Sequence, residues 1–323
     1  MKISNKILIV VIVVIGLYAI FLVASDLNTI YDEISDFKIE FIPIILLLVT
    51  SGWFVLFLRW HLLLRNAKIF IPVKDSFLIL TSGFALTIIP GKVGELIKSQ
   101  LLKTKFGIAR SKTVPIVILE QVYQATGIVI LSFFGIWYFE LGVYVLAFFT
   151  AGLIFAFILI SSRKTFNKIV LLLEKRRFTS KFVEPLSSSY DAIKNGMRGP
   201  ITLYASGLSV LFWLIESISI YFILLAFGVE AIGFLTIIST YTTSIMLGIL
   251  SFLPMGIGVV EGTLTSFFTI HGIDLSIAIT VVIVIRLFTR WYSVSFGFIA
   301  LKLSGGLTNN QEPNNQEPNN SKP

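Results

Sequence analysis

Eight ionisable residues stand inside or beside long apolar runs of this 323-residue chain: Arg59, Lys92, Glu95, Glu120, Glu216, Glu261, Arg286 and Arg290. A charge at the centre of a bilayer costs about 2.5–3.5 kcal/mol on insertion scales, so such residues face protein or water and find partners. Four are acidic and four basic, which permits full pairing. Arg286 and Arg290 are four apart and share one helical face. Two guanidinium forks on one face exceed the needs of a single carboxylate, and phosphate is the natural anion for them. One of the two can instead bridge to Glu261 or Glu120. Glu216 and Arg59 read as partners, although Arg59, beside Trp60 near a span end, reads more simply as a snorkelling side chain.

Two of the carboxylates follow a phrase that occurs twice. Pro90-Gly91-Lys92-Val93-Gly94-Glu95 ends one apolar run, and Pro254-Met255-Gly256-Ile257-Gly258-Val259-Val260-Glu261 ends another. Pro90, Gly91, Gly94, Pro254, Gly256 and Gly258 break each segment, and helices are expected to restart over 93–102 and 260–269. A carboxylate in a first turn is favoured by the helix dipole by roughly 0.3–1 kcal/mol. Glu95 and Glu261 therefore read either as N-terminal caps or as parts of anion-binding nests, with the freed N–H groups and Lys92. Gln121, Tyr123 and Gln124 add polar groups beside Glu120.

Other chemistry is poorly supplied. There is no Cys, and His61 and His271 are too far apart in sequence to indicate a metal site. No nucleotide-binding loop and no Ser-His-Asp set occur, so neither an enzyme nor a cofactor is expected.

The elements that must hold these residues are membrane spans. The chain is 55% hydrophobic and only 14% charged, with a mean hydropathy of +0.89, whereas soluble domains carry about 25% charged residues. The expected fold is an all-α polytopic membrane protein with about six full spans, near 6–24, 42–64, 113–138, 141–161, 200–227 and 275–303. Two re-entrant broken hairpins lie at 76–104 and 233–271. The run from Ile7 to Val23 is longer than a secretory signal core and reads as a retained anchor. The net charge of +8 sits in short loops, a mark of topology rather than of nucleic-acid binding. With both hairpins re-entrant and both termini cytoplasmic, cytoplasmic pieces carry 21 Lys and Arg and outer pieces only Lys38. Lys98 is counted among those loop cations. The expected location is the plasma membrane.

The halves correspond. Pro90 and Pro254 are 164 apart, while Glu95 and Glu261, like Glu120 and Arg286, are 166 apart. Each half reads span, broken hairpin, span, over about 42–138 and 200–303, and the deduced topology inverts one relative to the other. Inverted repeats with discontinuous helices place a site near the membrane midplane. Between them, the basic loop 162–199 is expected to form interfacial helices against anionic headgroups. The polar tail 304–323, with its repeated Asn-Asn-Gln-Glu-Pro, is expected to be disordered.

The phrase Pro90 to Lys98, Glu120 and the phrase Pro254 to Gly262 together give a resemblance. Over roughly residues 5–303 the chain resembles the flippase-like transmembrane domain of lysylphosphatidylglycerol synthases, which also occurs as standalone, UPF0104-like membrane proteins. Lys98 stands where the family usually has Arg, and Gln121 where it often has Arg. The resemblance implies translocation of an anionic phospholipid or lipid-linked headgroup. The substrate-binding set would be Lys92, Glu95, Glu120, Glu216, Glu261, Arg286 and Arg290. The aminoacyltransferase domain of longer members has no counterpart after residue 303, so lipid aminoacylation is not expected. The alternative is a membrane scaffold or subunit for a lipid-modifying enzyme such as a glycosyltransferase.

Overall fold

Apolar runs of 25 or more residues without a Pro-Gly break fold as single helices here, and the two runs that carry such breaks fold as pairs. The computed structural model describes residues 34–89, 94–135, 140–174 and 183–305. The expected first span, Pro90, Gly91, Lys92 and the tail beyond 305 lie outside the described residues. The order is a 3-10 turn at Ile39–Phe41, then α1 (Ile42–Asn66), α2 (Val73–Ala85), α3 (Ile97–Phe106), α4 (Arg110–Gly135) and α5 (Glu140–Ser161). Two short helices follow, α6 (Arg163–Glu174) and α7 (Val183–Gly196). The second half comprises α8 (Pro200–Ala226), α9 (Phe234–Leu250), α10 (Val259–Ile270), α11 (Leu275–Arg286), a π turn at Leu287–Trp291 and α12 (Tyr292–Leu303). No strand occurs among the described residues.

Four segments are long and apolar enough to cross a membrane: Ile39–Asn66, Arg110–Phe134, Pro200–Ala226 and Leu275–Leu303. Two shorter apolar helical stretches, Gly142–Ile158 and Phe234–Leu250, accompany them. The protein is thus an all-helical, multi-pass membrane protein. The basic stretch 162–199 contains the two expected helices, α6 and α7.

The packing is reciprocal. Spans α1 and α8 pack along each other. The first arm of the first broken segment, α2, lies on α12, and the first arm of the second, α9, lies on α4. Each second arm, α3 or α10, packs on the span that follows it. Small residues allow the closest approaches, as is usual between membrane helices. A Cβ on Gly127 of α4 would stand 2.5 Å from Ser209 Cβ of α8, and one on Gly297 of α12 would strike the backbone of Phe84 and Ala85 in α2.

The two ends of the bundle differ in charge. Lys105, late in α3, bridges to Asp75, early in α2, at 2.6 Å, so the outer ends of both arms meet. Arg65, Lys68, Lys74, Lys103, Arg110 and Lys112 stand at the adjoining helix ends. At the far end of α1, Lys38 N–H donates to the Ala226 carbonyl at 3.0 Å and Phe37 meets Phe227 edge-on. Asp36, Glu40 and Glu230 cluster in sequence around that end.

Candidate functional site

The first break opens where α2 stops at Ala85. The chain returns as a 3-10 turn at 94–96, and α3 begins at Ile97 rather than near 93. Glu95 therefore precedes α3 instead of sitting in its first helical turn, and its carboxylate is committed elsewhere: Glu95 Oε2 lies 2.6 Å from Lys98 Nζ. The same ammonium reaches Glu120 Oε2 on α4 at 2.5 Å. Lys98 is 2% exposed, which corrects its expected place among the loop cations: it is the clamp between the first broken segment and α4. It also stands 5.3 Å over the Trp60 ring.

Arg59 joins this cluster. Its guanidinium lies 3.7 Å from Glu120 Oε1, donates to Ser209 Oγ at 2.7 Å and donates to Gln124 Oε1. At 3% exposure it does not snorkel, because the partners it needs are inside the bundle. It pairs with Glu120, and not with Glu216 as expected. Its Nε is buried without a hydrogen-bond partner.

The second break runs through four left-handed residues, Phe252 (φ 55°), Met255 (φ 52°), Gly256 (φ 68°) and Gly258 (φ 85°). Glycine adopts this region freely, whereas Phe252 and Met255 are held there against preference. Glu261 sits three residues after Gly258 and accepts its N–H at 2.7 Å, a cap on α10. Its other oxygen accepts from Arg286 Nε at 2.7 Å, and Arg286 Nη2 donates to the Met255 carbonyl at 2.7 Å. Arg286 thus ties α11 to both sides of the break, and its Nη1 is buried without a partner.

Arg290 does something else. It donates to Glu216 Oε2 at 3.2 Å and to the Tyr241 hydroxyl at 2.9 Å, and that hydroxyl donates to Glu216 at 2.7 Å. The two arginines, expected to share a face and an anion, serve separate carboxylates. Arg286 closes α11, and Arg290 lies within the π turn that follows it.

Between the clusters lies a cavity of about 330 Å³. Among the described residues its charged lining is Arg59, Lys98 and Arg290 against Glu95, Glu120 and Glu216, three of each sign. Trp53, Phe84, Phe212 and Trp213 form much of its walls. The two indoles are fixed by their N–H groups, Trp53 to Ser293 Oγ and Trp213 to the Gln124 carbonyl, each at 3.0 Å. Phe252 and Leu253 also border the cavity while facing outward, Phe252 with 75% exposure. Of the ionisable residues singled out from sequence, Arg59, Glu95, Glu120, Glu216 and Arg290 meet here. Glu261 and Arg286 stand behind the second break, and Lys92 is outside the described residues. Among the described residues no group of three or more His, Asp or Glu converges as a metal site.

Sequence reading missed Lys98, Gln124, Ser209 and Tyr241 as site residues. Lys98 carried a signal, its position three residues after Glu95. Tyr241 carried a weaker one, lying in an unbroken run of hydroxyl residues from Ser239 to Ser244.

Four apolar spans, with broken helices around a partly open chamber of ion pairs and aromatic side chains, mark a multi-pass helical membrane protein. The family model for the lysylphosphatidylglycerol synthase transmembrane region matches residues 7–297, and the chain belongs to that family. It is similar to a UPF0104 membrane protein of Methanothermobacter thermautotrophicus, at 24% identity over 92% of this chain and 95% of the relative. A UPF0104 membrane protein of Methanocaldococcus jannaschii is 27% identical over 67% of this chain and 92% of its own length.

Proposed function

We propose that the protein moves an anionic phospholipid or lipid-linked headgroup between leaflets, through the chamber between its two broken segments, and is not itself an enzyme. The observation that carries this is the chamber's makeup: buried ion pairs inside, and an outward-facing apolar rim at Phe252 and Leu253. A headgroup can enter such a site while its chains stay in lipid. A phosphate can take the place of Glu120 or Glu216 as counter-ion to Arg59 or Arg290, so loading leaves no guanidinium unpaired. Arg59 Nε offers a donor that no protein group uses.

In this reading the broken segments are re-entrant and the halves, about 42–138 and 200–303, are inverted repeats within one domain spanning 1–303. The reciprocal packing of α2 on α12 and α9 on α4 supports it, as does the Asp75–Lys105 bridge between arms. The basic end faces the cytoplasm and the membrane is the plasma membrane. Impermeant maleimide labelling tests this on a chain with no native Cys. Lys74→Cys is expected to react only from the cytoplasmic side and Glu230→Cys only from outside; reaction of both from one side overturns it.

Translocation is tested in proteoliposomes carrying fluorescent phosphatidylglycerol, read by dithionite quenching. The wild-type protein is expected to raise the flip rate above that of empty vesicles. Glu216→Gln, which keeps the size of the side chain, is expected to slow it about tenfold, the equivalent of ~1.4 kcal/mol in the barrier. Wild-type protein that moves no lipid overturns the reading.

A further inference from the structure

A second hollow lies at the basic end of the bundle, remote in character from the chamber. It is an open groove of about 1060 Å³ between the α1–α2 turn, the α3–α4 turn and the end of α7. Leu63, Ile116 and Leu119, all buried, line its floor. Lys68 from the α1–α2 turn and Lys112 from the first turn of α4 line its rim, and among the described residues they are its only charged lining groups. Among the described residues the chamber sets three cations against three carboxylates, whereas this groove has two cations and no carboxylate in its lining.

The groove's setting identifies its occupant. Phe70 lines it and is 73% exposed, next to a neighbouring exposed Val73 at 61%. Exposed aromatic and aliphatic side chains beside lysines at the end of a span are the composition of a bilayer interface. The Lys68 backbone is held in the left-handed region at φ 57°. This is unusual for a residue other than Gly, Asn or Asp, and it fixes the lysine's point of departure at the rim.

We propose that this groove is a binding site for an anionic phospholipid of the adjoining leaflet, with the phosphate on Lys68 and Lys112 and the upper acyl chain over Leu63, Ile116 and Leu119. It is separate from the translocation chamber and does not depend on it. Charge complementarity commits the site to an anionic lipid, since a zwitterionic headgroup would bring an ammonium to a rim whose described residues include no carboxylate to receive it.

Native mass spectrometry of the full chain in detergent, titrated with phosphatidylglycerol and separately with phosphatidylcholine, tests this. One phosphatidylglycerol is expected to be retained in preference to phosphatidylcholine. Lys68→Asn with Lys112→Gln keeps a residue suited to the left-handed turn, and is expected to weaken that lipid about thirtyfold, each lysine near an anionic headgroup being worth about one such decade or less. Ala109→Trp, at an exposed position lining the groove, is expected to expel the lipid with both lysines in place. Undiminished binding in the double variant overturns the proposal. So does undiminished binding in Ala109→Trp, because the lipid would then read charge elsewhere on this face. Equal retention of the two lipids would mean that a zwitterionic lipid or the chain's own tail fills the groove, and would overturn it as well.

Discussion

Arg286→Ala is expected to destabilise the protein by about 3–5 kcal/mol, the range for removing one partner of a buried pair. The loss has two parts. Glu261 keeps its bond from Gly258 N–H but loses its counter-ion at 3% side-chain exposure, and the Met255 carbonyl loses the bond from Arg286 Nη2. The strained turn at Met255 then has less to hold it. Glu261→Gln keeps the side chain's volume and one of its two accepted bonds, the amide oxygen serving either Arg286 or Gly258, and is expected to cost less, although the guanidinium loses its counter-ion. A double-mutant cycle followed by unfolding in detergent measures the coupling. Additive single costs would show that the pair is a bystander and that the break is held by packing alone.

The second large effect is expected at Lys98. The first cluster is neutral because Arg59 and Lys98 face Glu95 and Glu120. Lys98→Met leaves two buried carboxylates sharing one guanidinium, again a loss of about 3–5 kcal/mol. Adding Glu95→Gln restores neutrality by leaving the Arg59–Glu120 pair intact, and is expected to recover most of that loss. The recovery is the test, measured as the unfolding midpoint in detergent. A double variant no more stable than Lys98→Met would show that the ammonium acts through its geometry, by tying the broken segment to α4, and not through charge balance.

Much of the fold was legible because it follows from local chemistry. Apolar length located α1, α4, α8 and the α11–α12 span within a few residues. The Pro-Gly phrases located both breaks, since proline removes a donor and glycine admits left-handed backbone. Glu261 read either as a cap or as part of an anion-binding nest, and in the fold it accepts from Gly258 N–H at the start of α10. What could not be read was pairing. Arg59 meets Glu120, 61 positions on, and Gln124 and Ser209 as well, and nothing in its neighbours Leu58 and Trp60 announces this. The sequence around Arg59 is that of a span end, so snorkelling was the natural reading. The arginine pair failed for a different reason. Four-residue spacing describes one helix only, whereas each arginine is claimed by a carboxylate of a different neighbour, Arg286 by Glu261 of α10 and Arg290 by Glu216 of α8. Lys98 was hidden by its surroundings of Lys103 and Lys105, which do face solvent.

The π turn at Leu287–Trp291 has a mechanical consequence. Such a turn is a dislocation in the helical lattice, one residue in excess of the regular winding, closed by wider i→i+5 hydrogen bonds. A dislocation can glide: exchanging one backbone bond for its neighbour moves the excess residue along the span without unfolding it. Each step re-registers the residue it passes and turns that side chain to another side, while the two ends of the span keep their relation. In this protein the part before carries Arg286, bonded across the second break, and the part beyond carries α12, seated on α2 of the first break. The last span therefore joins the two broken segments, and the π turn lies between its contacts with each.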